Sequence, residues 1–364
     1  MTSADDKSAQ YRKDVAKALD RVYVSDATEE REVDLDEVKI VVFSDLHKGA
    51  RDGADDFMRC ERAYAAALAY YLEQEFQLFV LGDVEELWEC SPEEVVREYR
   101  DTLKLEAQFH RAGRYERFWG NHDDEWSNPK VVAKHLEDND LFANLRVRQA
   151  LKLRVVRGGE RVGLLFFVHG HQGTLDSDRY KTVSKLFVRH VWRPAQRRLN
   201  MASTTPARDF VLRARHDSAM FNWARAHPDR PVIISGHTHR PVFWDSRPPA
   251  EHPSIDELQA ELEKERAAKR NKEKLAELHA RIEFLRAEAR EKGPPPIEIK
   301  PPCYFNTGCC SFGDGDITGL EIANGRIRLL RWPDDDDEPK FKELVAEPLD
   351  RVLELVAAGT AAPR

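Results

Sequence analysis

Five short clusters of histidine, aspartate and asparagine occur along this sequence, and each directly follows an apolar run. In chain order they are Asp45 and His47 in FSDLH, Asp83 in LGDVEELW, Asn121 and His122 in WGNHDDEW, His169 in FFVHGHQ, and His237 and His239 in SGHTHRP. Taken alone, a D-x-H or H-x-H triplet carries little information. Five clusters in order, each at the end of an apolar run, indicate one shared site.

The donor atoms in these clusters suit metal ions. Imidazole nitrogens, two carboxylates and one amide oxygen form a mixed set. Such a set favours Mn²⁺, Fe or Zn²⁺ in a catalytic site over a structural zinc ion, which prefers thiolates. The donors also outnumber the positions around one tetrahedral ion. Two ions about 3.5–4 Å apart can share a carboxylate and a hydroxide that attacks phosphorus in line.

The elements that must position these clusters form a repeating pattern in the first half of the chain. Apolar strands at 38–43, 77–82 and 115–120 alternate with helices at 55–73 and 91–111. This alternation predicts a parallel sheet with right-handed crossovers. Ligands of such sheets bind beyond the carboxyl ends of the strands, where the first three clusters lie.

The second half of the chain is richer in strands and predicts a second sheet packed on the first around one core. Asn324 and Gly325 mark a tight hairpin turn between its last two strands. The predicted strands lie at about 146–156, 161–168, 231–236, 241–244, 302–307, 317–322 and 325–331.

Outside these strands the sequence divides into terminal segments and insertions. We expect residues 1–36 to form an N-terminal arm, residues 37–333 one domain, and residues 334–364 an acidic run and a helix. Two helical insertions interrupt the domain: a basic cap at 176–228 and a charged insertion at 251–300. Within the charged insertion, a helical hairpin is favoured over a single long helix.

The basic cap has a charge opposite to that of the whole chain. The chain carries 57 Lys and Arg against 65 Asp and Glu, a formal net charge of −8. From Arg179 to Arg215, ten basic residues accompany one acid, Asp209. A solvated face balanced by acids elsewhere and a cap that attracts an anionic substrate explain this segment equally well. Peripheral membrane contact through the cap and protein contact through 254–292 are further expectations.

Composition excludes several classes of protein. With 41% hydrophobic residues in a chain of 364, wholesale disorder is excluded. The chain lacks an apolar run of about 18 residues and an apolar signal core, so we expect a cytoplasmic protein, in contact with the inner membrane surface if the cap binds lipid. Five cysteines without a CxxC pair suit reduced thiols. The net negative charge argues against specific nucleic-acid binding.

The ordered motifs D-x-H, G-D-x-x-E, G-N-H-D, H-G-H and G-H-T-H resemble those of the calcineurin-like metallophosphoesterases, from about Val38 to Trp332. This resemblance implies an α/β sandwich with the four layers α/β/β/α, in which helices flank two packed mixed sheets. It also implies a phosphatase-type hydrolase of phosphate esters or diphosphates with two divalent ions. Mn²⁺ is favoured for them, with Fe or Zn²⁺ as alternatives.

Carried over residue by residue, the resemblance assigns a role to each cluster. Asp45, His47 and His239 would hold one ion, Asn121, His169 and His237 the other, and Asp83 would bridge the two. His122, paired with a carboxylate such as Asp123, would stabilise the transition state or protonate the leaving oxygen. In H-G-H, His169 is the expected ligand, and His171 is expected to support the site or to face the substrate.

A closer resemblance concerns the UDP-2,3-diacylglucosamine hydrolase branch of this family, which cleaves a nucleotide-lipid diphosphate. GDVEELW, HGHQGTLDSDRY, SGHTHRP and a basic helical insert are similar to that branch. The chain departs from it at His122, where the branch usually has arginine, and at His171, where it usually has aspartate. A small-nucleotide or phosphoprotein phosphatase, and a non-catalytic scaffold that uses 254–292, stay open as alternatives.

Other polar residues are expected to have supporting or structural roles. Glu86 and Trp88 are expected to order the loop that carries Asp83. The remaining histidines have no partner at ligand spacing, so structural or surface roles are expected for them. They are His110, His135, His190, His216, His227, His252 and His279.

Overall fold

The structure is a computed structural model of the chain. It describes residues 4–53, 55–137, 141–173, 206–243, 255–267, 275, 278, 302–313, 315–334 and 339–359. Within these ranges, two β-sheets and eight α-helices build the architecture. None of the helices described there combines the length and apolar character needed to cross a membrane.

The first half of the chain alternates strands and helices, as predicted. Its elements are α1 (Ala4–Tyr23), β1 (Glu29–Asp34), β2 (Lys39–Phe43), α2 (Glu61–Glu73), β3 (Gln77–Leu81), α3 (Pro92–Glu98), α4 (Arg100–Arg111), β4 (Tyr115–Phe118), α5 (Pro129–His135) and β5 (Val147–Arg148). The single helix predicted over 91–111 is divided at Tyr99, whose backbone leaves the helical region (φ −106°, ψ 23°).

The second half contains most of the antiparallel pairing. Its elements are β6 (Ala150–Arg157), β7 (Glu160–Val168), α6 (Pro206–Ala226), β8 (Val232–Ser235), β9 (Pro241–Val242), α7 (Ile255–Ala267), β10 (Tyr304–Thr307), β11 (Ile317–Ala323), β12 (Arg326–Trp332), β13 (Lys342–Pro348) and α8 (Leu349–Ala358). The predicted hairpin joins β11 to β12, and Asn324 and Gly325 both have the positive φ that its turn requires. Most of the predicted cap and charged insertion, including its hairpin, lies outside the described residues.

The strands form two mixed sheets, so the predicted α/β sandwich is confirmed. The seven-stranded sheet has the order β13-β12-β11-β2-β3-β4-β5, and its strands β2 to β5 are parallel neighbours. The six-stranded sheet has the order β1-β6-β7-β8-β10-β9, in which β7, β8 and β10 are parallel. Each sheet therefore gathers several strand ends at one edge.

Alternate residues along the strands fill two hydrophobic clusters. In β2, Ile40 and Val42 pack into a cluster that contains residues of both sheets, whereas Val41 and Phe43 pack against the side covered by α2 to α5. Helices α1, α6 and α8 contribute to the cluster shared by the sheets. The loops at the strand ends therefore extend from strands that are buried on both faces.

From α1 onward, the N-terminal segment packs into the core, unlike the arm expected for residues 1–36. Val15 and Leu19 of α1 are fully buried, and β1 pairs in parallel with β6 at the edge of the six-stranded sheet. The sequence concealed this strand because EEREVD carries charges in place of alternating apolar residues. Those charges have partners on the neighbouring strand, as in the pair of Glu30 with Arg154.

The C-terminal segment also joins the fold. The predicted helix is present as α8, in which Val352 and Leu353 are buried. Strand β13, which was not predicted, pairs antiparallel with β12 and extends the seven-stranded sheet. The folded unit therefore continues beyond residue 333, where the predicted domain ends.

Candidate metal centre

Three loops leave the carboxyl ends of β2, β3 and β4 side by side. The first loop is bonded to the second, because Asp45 N donates to Gly82 O (3.1 Å) and His47 N donates to Asp83 O (2.9 Å). The third loop is joined to them by His122, whose backbone N–H donates to Asp83 Oδ1 (2.8 Å). Adjacent parallel strands thus bring the first three clusters together.

Two glycines make room for the side chains of this site. A β-carbon at Gly120 would lie 2.2 Å from Asp83 Oδ1, and one at Gly82 would lie 2.6 Å from the ring of His169. Gly82 also has a φ of +85°, which residues with a β-carbon rarely adopt. The glycines that precede Asp83 and Asn121 are therefore required by close packing.

Six of the seven predicted ligands, together with His122, fall into three overlapping groups of donor atoms that lie within 4.8 Å of one another. The groups are Asp45, His47 and His239; His47, Asp83 and His122; and Asp83, His169 and His237. Asp83 Oδ2 lies 3.2 Å from His169 Nε2 and 3.9 Å from His47 Nε2. Asp83 therefore lies between the two halves of the site, where a bridging carboxylate would lie.

The first half of the site converges on one point. His239 Nε2 lies 3.3 Å from Asp45 Oδ1 and 3.1 Å from His47 Nε2. The other nitrogen of His47, Nδ1, donates to Glu86 Oε2 (2.9 Å). A carboxylate on the far nitrogen is the usual arrangement of a histidine that binds a metal through its near nitrogen.

The second half contains two buried atoms that fit a cation. Asn121 Oδ1 accepts no hydrogen bond from the described residues. His169 Nδ1 donates to Leu81 O (2.8 Å), which leaves Nε2, a buried atom without a hydrogen bond within the same part of the chain, as the nitrogen that could bind a cation. Buried acceptors are rarely left without a partner. Together with the carboxylates, these atoms fit divalent metal ions.

His171, the second histidine of H-G-H, lies outside the three groups. Its ring centre is 5.4 Å from that of His169 and 5.2 Å from that of Trp119. The ligand position of His169, and a supporting or substrate-facing role for His171, therefore stay predictions.

Five of the predicted ligands have backbone conformations that are uncommon for residues with a β-carbon. The left-handed region costs such a residue roughly 1–2 kcal/mol. Packing that holds several strained residues at one place is typical of functional sites. The five residues, with φ between 48° and 70°, are Asp45, His47, Asp83, His237 and His239.

The electrostatics of the site divide the candidate ligands. Burial opposes the charged forms of His47 and His169. Glu86 and Asp83 nevertheless raise the pKa of His47 to about 10, and Asp83 raises that of His169 to about 9. A metal ion would therefore have to displace a proton from each ring.

Burial opposes the ionisation of Asp83, but nearby imidazoles, first of all His169, hold its pKa well below the usual value. Burial likewise opposes the ionisation of Asp45, and His239 lowers its pKa. Burial lowers the pKa of His237 and of His239. The carboxylates are thus charged, and these two imidazoles are neutral, as metal ligands must be.

His122 is paired with Glu86 and not with Asp123, the partner expected from the sequence. His122 Nδ1 lies 2.9 and 2.8 Å from the two oxygens of Glu86 and donates to them. Burial would lower the pKa of His122, but the charges of Glu86 and Asp83 raise it. Because Nδ1 is hydrogen-bonded to Glu86, Nε2 is the ring nitrogen left for an interaction with a substrate.

Asp123 ties two of the loops together instead. Its carboxyl is fully buried and accepts from Val84 N (2.8 Å) and Gly120 N (2.6 Å). Burial, followed by the neighbouring carboxylates, raises its pKa to about 7. Asp123 follows His122 in sequence, but its side chain points between the two loops. The carboxylate that pairs with His122 is therefore not the neighbouring one in the sequence.

Trp88 packs against the face of the His122 ring. The rings of Trp88 and His122 are stacked, with centres 4.3 Å apart and planes at 15°. Trp88 Nε1 also donates to Asn121 O (2.7 Å). Trp88 therefore orders the third loop and the ring of His122, a wider role than the expected support of the Asp83 loop.

Four fully buried charged side chains lie beneath the three loops, and sequence reasoning missed them. We call them the buried quartet: Lys48, Glu85, Glu106 and Arg117. Glu106 accepts from Lys48 Nζ (2.5 Å) and lies 3.6 Å from Arg117 Nη1, and Arg117 also pairs with Glu85. Lys48 directly follows His47, so the quartet joins the ligand loops to β4 and α4. By residue type alone, its members resemble surface charges.

The loop after β8, which carries His237 and His239, rests mainly on hydrogen bonds. Asp217 of α6 accepts from Tyr304 Oη (2.7 Å) and Thr238 Oγ1 (3.0 Å). The same carboxylate pairs with Arg240. Asn306 Nδ2 donates to Thr238 Oγ1 (3.1 Å), which fixes the loop from the side of β10.

Comparison with known proteins agrees with this geometry. A family model described as calcineurin-like phosphoesterase matches residues 38–241, more than half of the chain and a range that contains every predicted ligand. No curated protein matches the chain. The chain belongs to the calcineurin-like phosphoesterase family.

Proposed function

We propose that this calcineurin-like phosphoesterase hydrolyses a phosphate ester or a diphosphate with two divalent metal ions. One observation carries the proposal: Asp83 Oδ2 faces imidazoles of both halves of the site. Bound ions would polarise the phosphoryl group and activate water. Mn²⁺ is the proposed ion, with Fe or Zn²⁺ as alternatives. The proposed ligands are Asp45, His47 and His239 for one ion, Asn121, His169 and His237 for the other, and Asp83 for both.

In this proposal, His122 supplies a proton from Nε2 to the leaving oxygen. Glu86 holds the opposite nitrogen, and the stacked Trp88 sets the plane of the ring. The charges of Glu86 and Asp83 outweigh burial and raise the pKa of His122, so the ring retains its proton closer to neutral pH. A positioned cation of this kind also stabilises charge that develops on the phosphoryl oxygens.

The proposed substrate is an anion with more than one phosphate group, such as a nucleotide-lipid diphosphate. The basic cap supports this choice through its ten Lys and Arg residues between Arg179 and Arg215. Arg213, on α6, is half-buried, and its charge joins burial in lowering the pKa of His239. A positive charge that acts on a candidate ligand can also attract an anion to the site.

Metal removal and two substitutions test the hydrolase proposal. We expect chelation to abolish hydrolysis of bis(p-nitrophenyl) phosphate or p-nitrophenyl phosphate, and Mn²⁺ to restore it. Asp83→Ala should abolish turnover, and His122→Ala should lower kcat roughly 10²–10⁴-fold. His110→Ala is the matched control, because His110 lies on α4 and contacts Ala143 O (2.8 Å). Full activity after chelation, or in Asp83→Ala, would refute the proposal.

A substrate panel separates the competing substrate classes. The metal-loaded protein should be compared on UDP-diacylglucosamine, cyclic nucleotides and phosphopeptides at equal concentration. The proposal expects the highest kcat/KM for the diphosphate. A preference for phosphopeptides would favour the phosphoprotein phosphatase instead.

Deletion of 254–292 tests the scaffold alternative. We propose that this segment contacts another protein and plays no part in the chemistry. The shortened chain should therefore keep its kcat. Loss of a partner together with an absence of activity in the intact chain would favour the scaffold.

A further inference from the structure

The N-terminal helix α1 lies directly against the loop that carries the H-G-H motif. A β-carbon at Gly173 would lie 2.5 Å from the Cα of Val15, so the backbones of loop and helix touch. Val15 is fully buried at this contact. Because α1 precedes the range 38–241 that the family model matches, this contact involves a part of the chain outside the matched range.

Two side chains extend this contact toward the metal centre. Tyr11 Oη lies 2.7 Å from His216 Nδ1, and His216 Nε2 lies 2.5 Å from Gly170 O. A carbonyl oxygen can only accept, so His216 donates from Nε2 and accepts the hydroxyl proton of Tyr11 at Nδ1. His216 is 3% exposed. These two hydrogen bonds set both the tautomer and the orientation of its ring.

His216 contacts His237 directly and is connected to His169 through the backbone of Gly170. Gly170, whose carbonyl it holds, directly follows His169. The ring of His216 also packs against that of His237, with centres 5.2 Å apart and planes at 73°. A shift of His216 would therefore move the backbone beside His169 and remove the support of His237.

We propose that Tyr11, acting through His216, positions His169 and His237, so that the N-terminal helix completes one half of the metal centre. The inference rests on the dinuclear centre proposed above. Tyr11 and His216 are positioning residues, because they act through the loop and through a neighbouring ring. The ion that should depend on them is the one assigned to Asn121, His169 and His237.

Mn²⁺ binding to the metal-free full chain tests this inference. In Tyr11→Phe, calorimetry should show one of two Mn²⁺ ions bound about tenfold more weakly, with the other unchanged. Electron paramagnetic resonance should then show isolated Mn²⁺ at concentrations where the wild type shows a coupled pair. His216→Gln retains a donor and an acceptor, so it should keep more affinity than His216→Leu.

Tyr23→Phe is the matched control. Tyr23 also lies on α1, and its hydroxyl donates to Asp229 Oδ2 (2.8 Å). Each variant removes one hydrogen bond from the same helix, so both should lose similar thermal stability while Tyr11→Phe alone loses metal affinity. Unchanged affinity in Tyr11→Phe, or equal weakening in both variants, would overturn the inference. Two bound ions without hydrolysis in the wild type would refute the proposed function and leave this inference standing.

Discussion

The two halves of the metal centre are supported by different kinds of interaction. The loops after β2, β3 and β4 rest on the buried quartet, four charged side chains with no exposed surface. The loop after β8 rests mainly on neutral donors, among them Tyr304, Thr238 and Asn306, which converge around Asp217. Both arrangements fix loops that leave parallel strands.

The difference between the halves lies in what happens when one partner is removed. A charge left alone in a dry interior is strongly destabilising, whereas a neutral polar group left alone costs the protein less. The seven-stranded side is therefore the support that should lose more stability when one partner is removed. Substitutions on the six-stranded side should cost less stability. They should displace the loop that carries His237 and His239 before they unfold the protein.

The largest expected effect follows from breaking the quartet. Arg117→Met leaves the two buried carboxylates, Glu85 and Glu106, with Lys48 as the one cation of the quartet. The free energy of unfolding should therefore fall by about 3–5 kcal/mol. Urea denaturation of the metal-free protein measures this free energy of unfolding. Arg154→Met, which removes the exposed partner of Glu30 on the protein surface, is the control and should leave the midpoint unchanged. Equal midpoints for the two variants would mean that the quartet does not support the fold.

A smaller effect is expected on the hydrogen-bonded side. Asp217→Ala removes the acceptor of Tyr304 and Thr238. It also removes the partner of Arg240, which is partly exposed. The free energy of unfolding should therefore fall by about 2 kcal/mol. Mn²⁺ affinity should also fall, because the loop of His237 and His239 loses its anchor. The same denaturation and calorimetry experiments check both effects. A loss larger than that of Arg117→Met would reverse the ranking of the two halves.

Trp88 shows how much neutral contacts add on the charged side. Trp88→Phe keeps a ring against His122 but loses the bond to Asn121 O, so kcat should fall by about fivefold, equivalent to about 1 kcal/mol. Trp88→Leu loses the stacking as well, so its kcat should be lower again by a similar factor. Steady-state kinetics at saturating Mn²⁺ measure both. Identical kcat values for the two variants would show that stacking on His122 does not matter.

The smallest effect concerns a surface cluster that joins the two sheets. Glu29 of β1 pairs with Arg148 of β5, and a hydrogen bond from Arg31, against some burial, lowers the pKa of Glu29 from 4.5 to about 2. A lowered folded-state pKa stabilises the protein above pH 4.5, and this contribution is lost as the pH falls toward 2.

Because Glu29 is 35% exposed, its contribution should stay below about 1 kcal/mol. The measurement is the stability difference between the wild type and Glu29→Gln at about pH 6 and about pH 3. The difference should shrink at the lower pH. A difference that stays constant would mean that Glu29 does not couple the sheets through its charge.

The sequence identified the site better than it identified the support of the site. An apolar run followed by D-x-H, G-D or H-x-H predicts a strand that ends in metal-binding side chains. Five such clusters in order are difficult to explain in any other way. Lys48 and Arg117 could not be recognised, since a buried ion pair and a solvated pair have the same residue types. The partner of His122 was assigned to Asp123 by adjacency, while Glu86 reaches it from the neighbouring loop.

The fold shows the same division. The hairpin at Asn324 and Gly325 was predictable, because two residues with positive φ favour one turn type. The break at Tyr99 between α3 and α4 was not, because no glycine or proline marks it. Strand β1 and helix α1 were assigned to an arm for a related reason. Their partners lie more than a hundred residues away, and polar composition gave no sign of them.

The left-handed conformations of the candidate ligands have a consequence for the design of stabilised variants. Glycine at Asp45, His47, Asp83, His237 or His239 would relieve the backbone of the metal-free chain, at the same time as it removed a donor. Selection for thermal stability alone would therefore favour loss of the centre. Five side chains at positions suited to glycine therefore mark a place where the metal-free chain gives up stability to keep donor atoms, a trade-off that is common at functional sites.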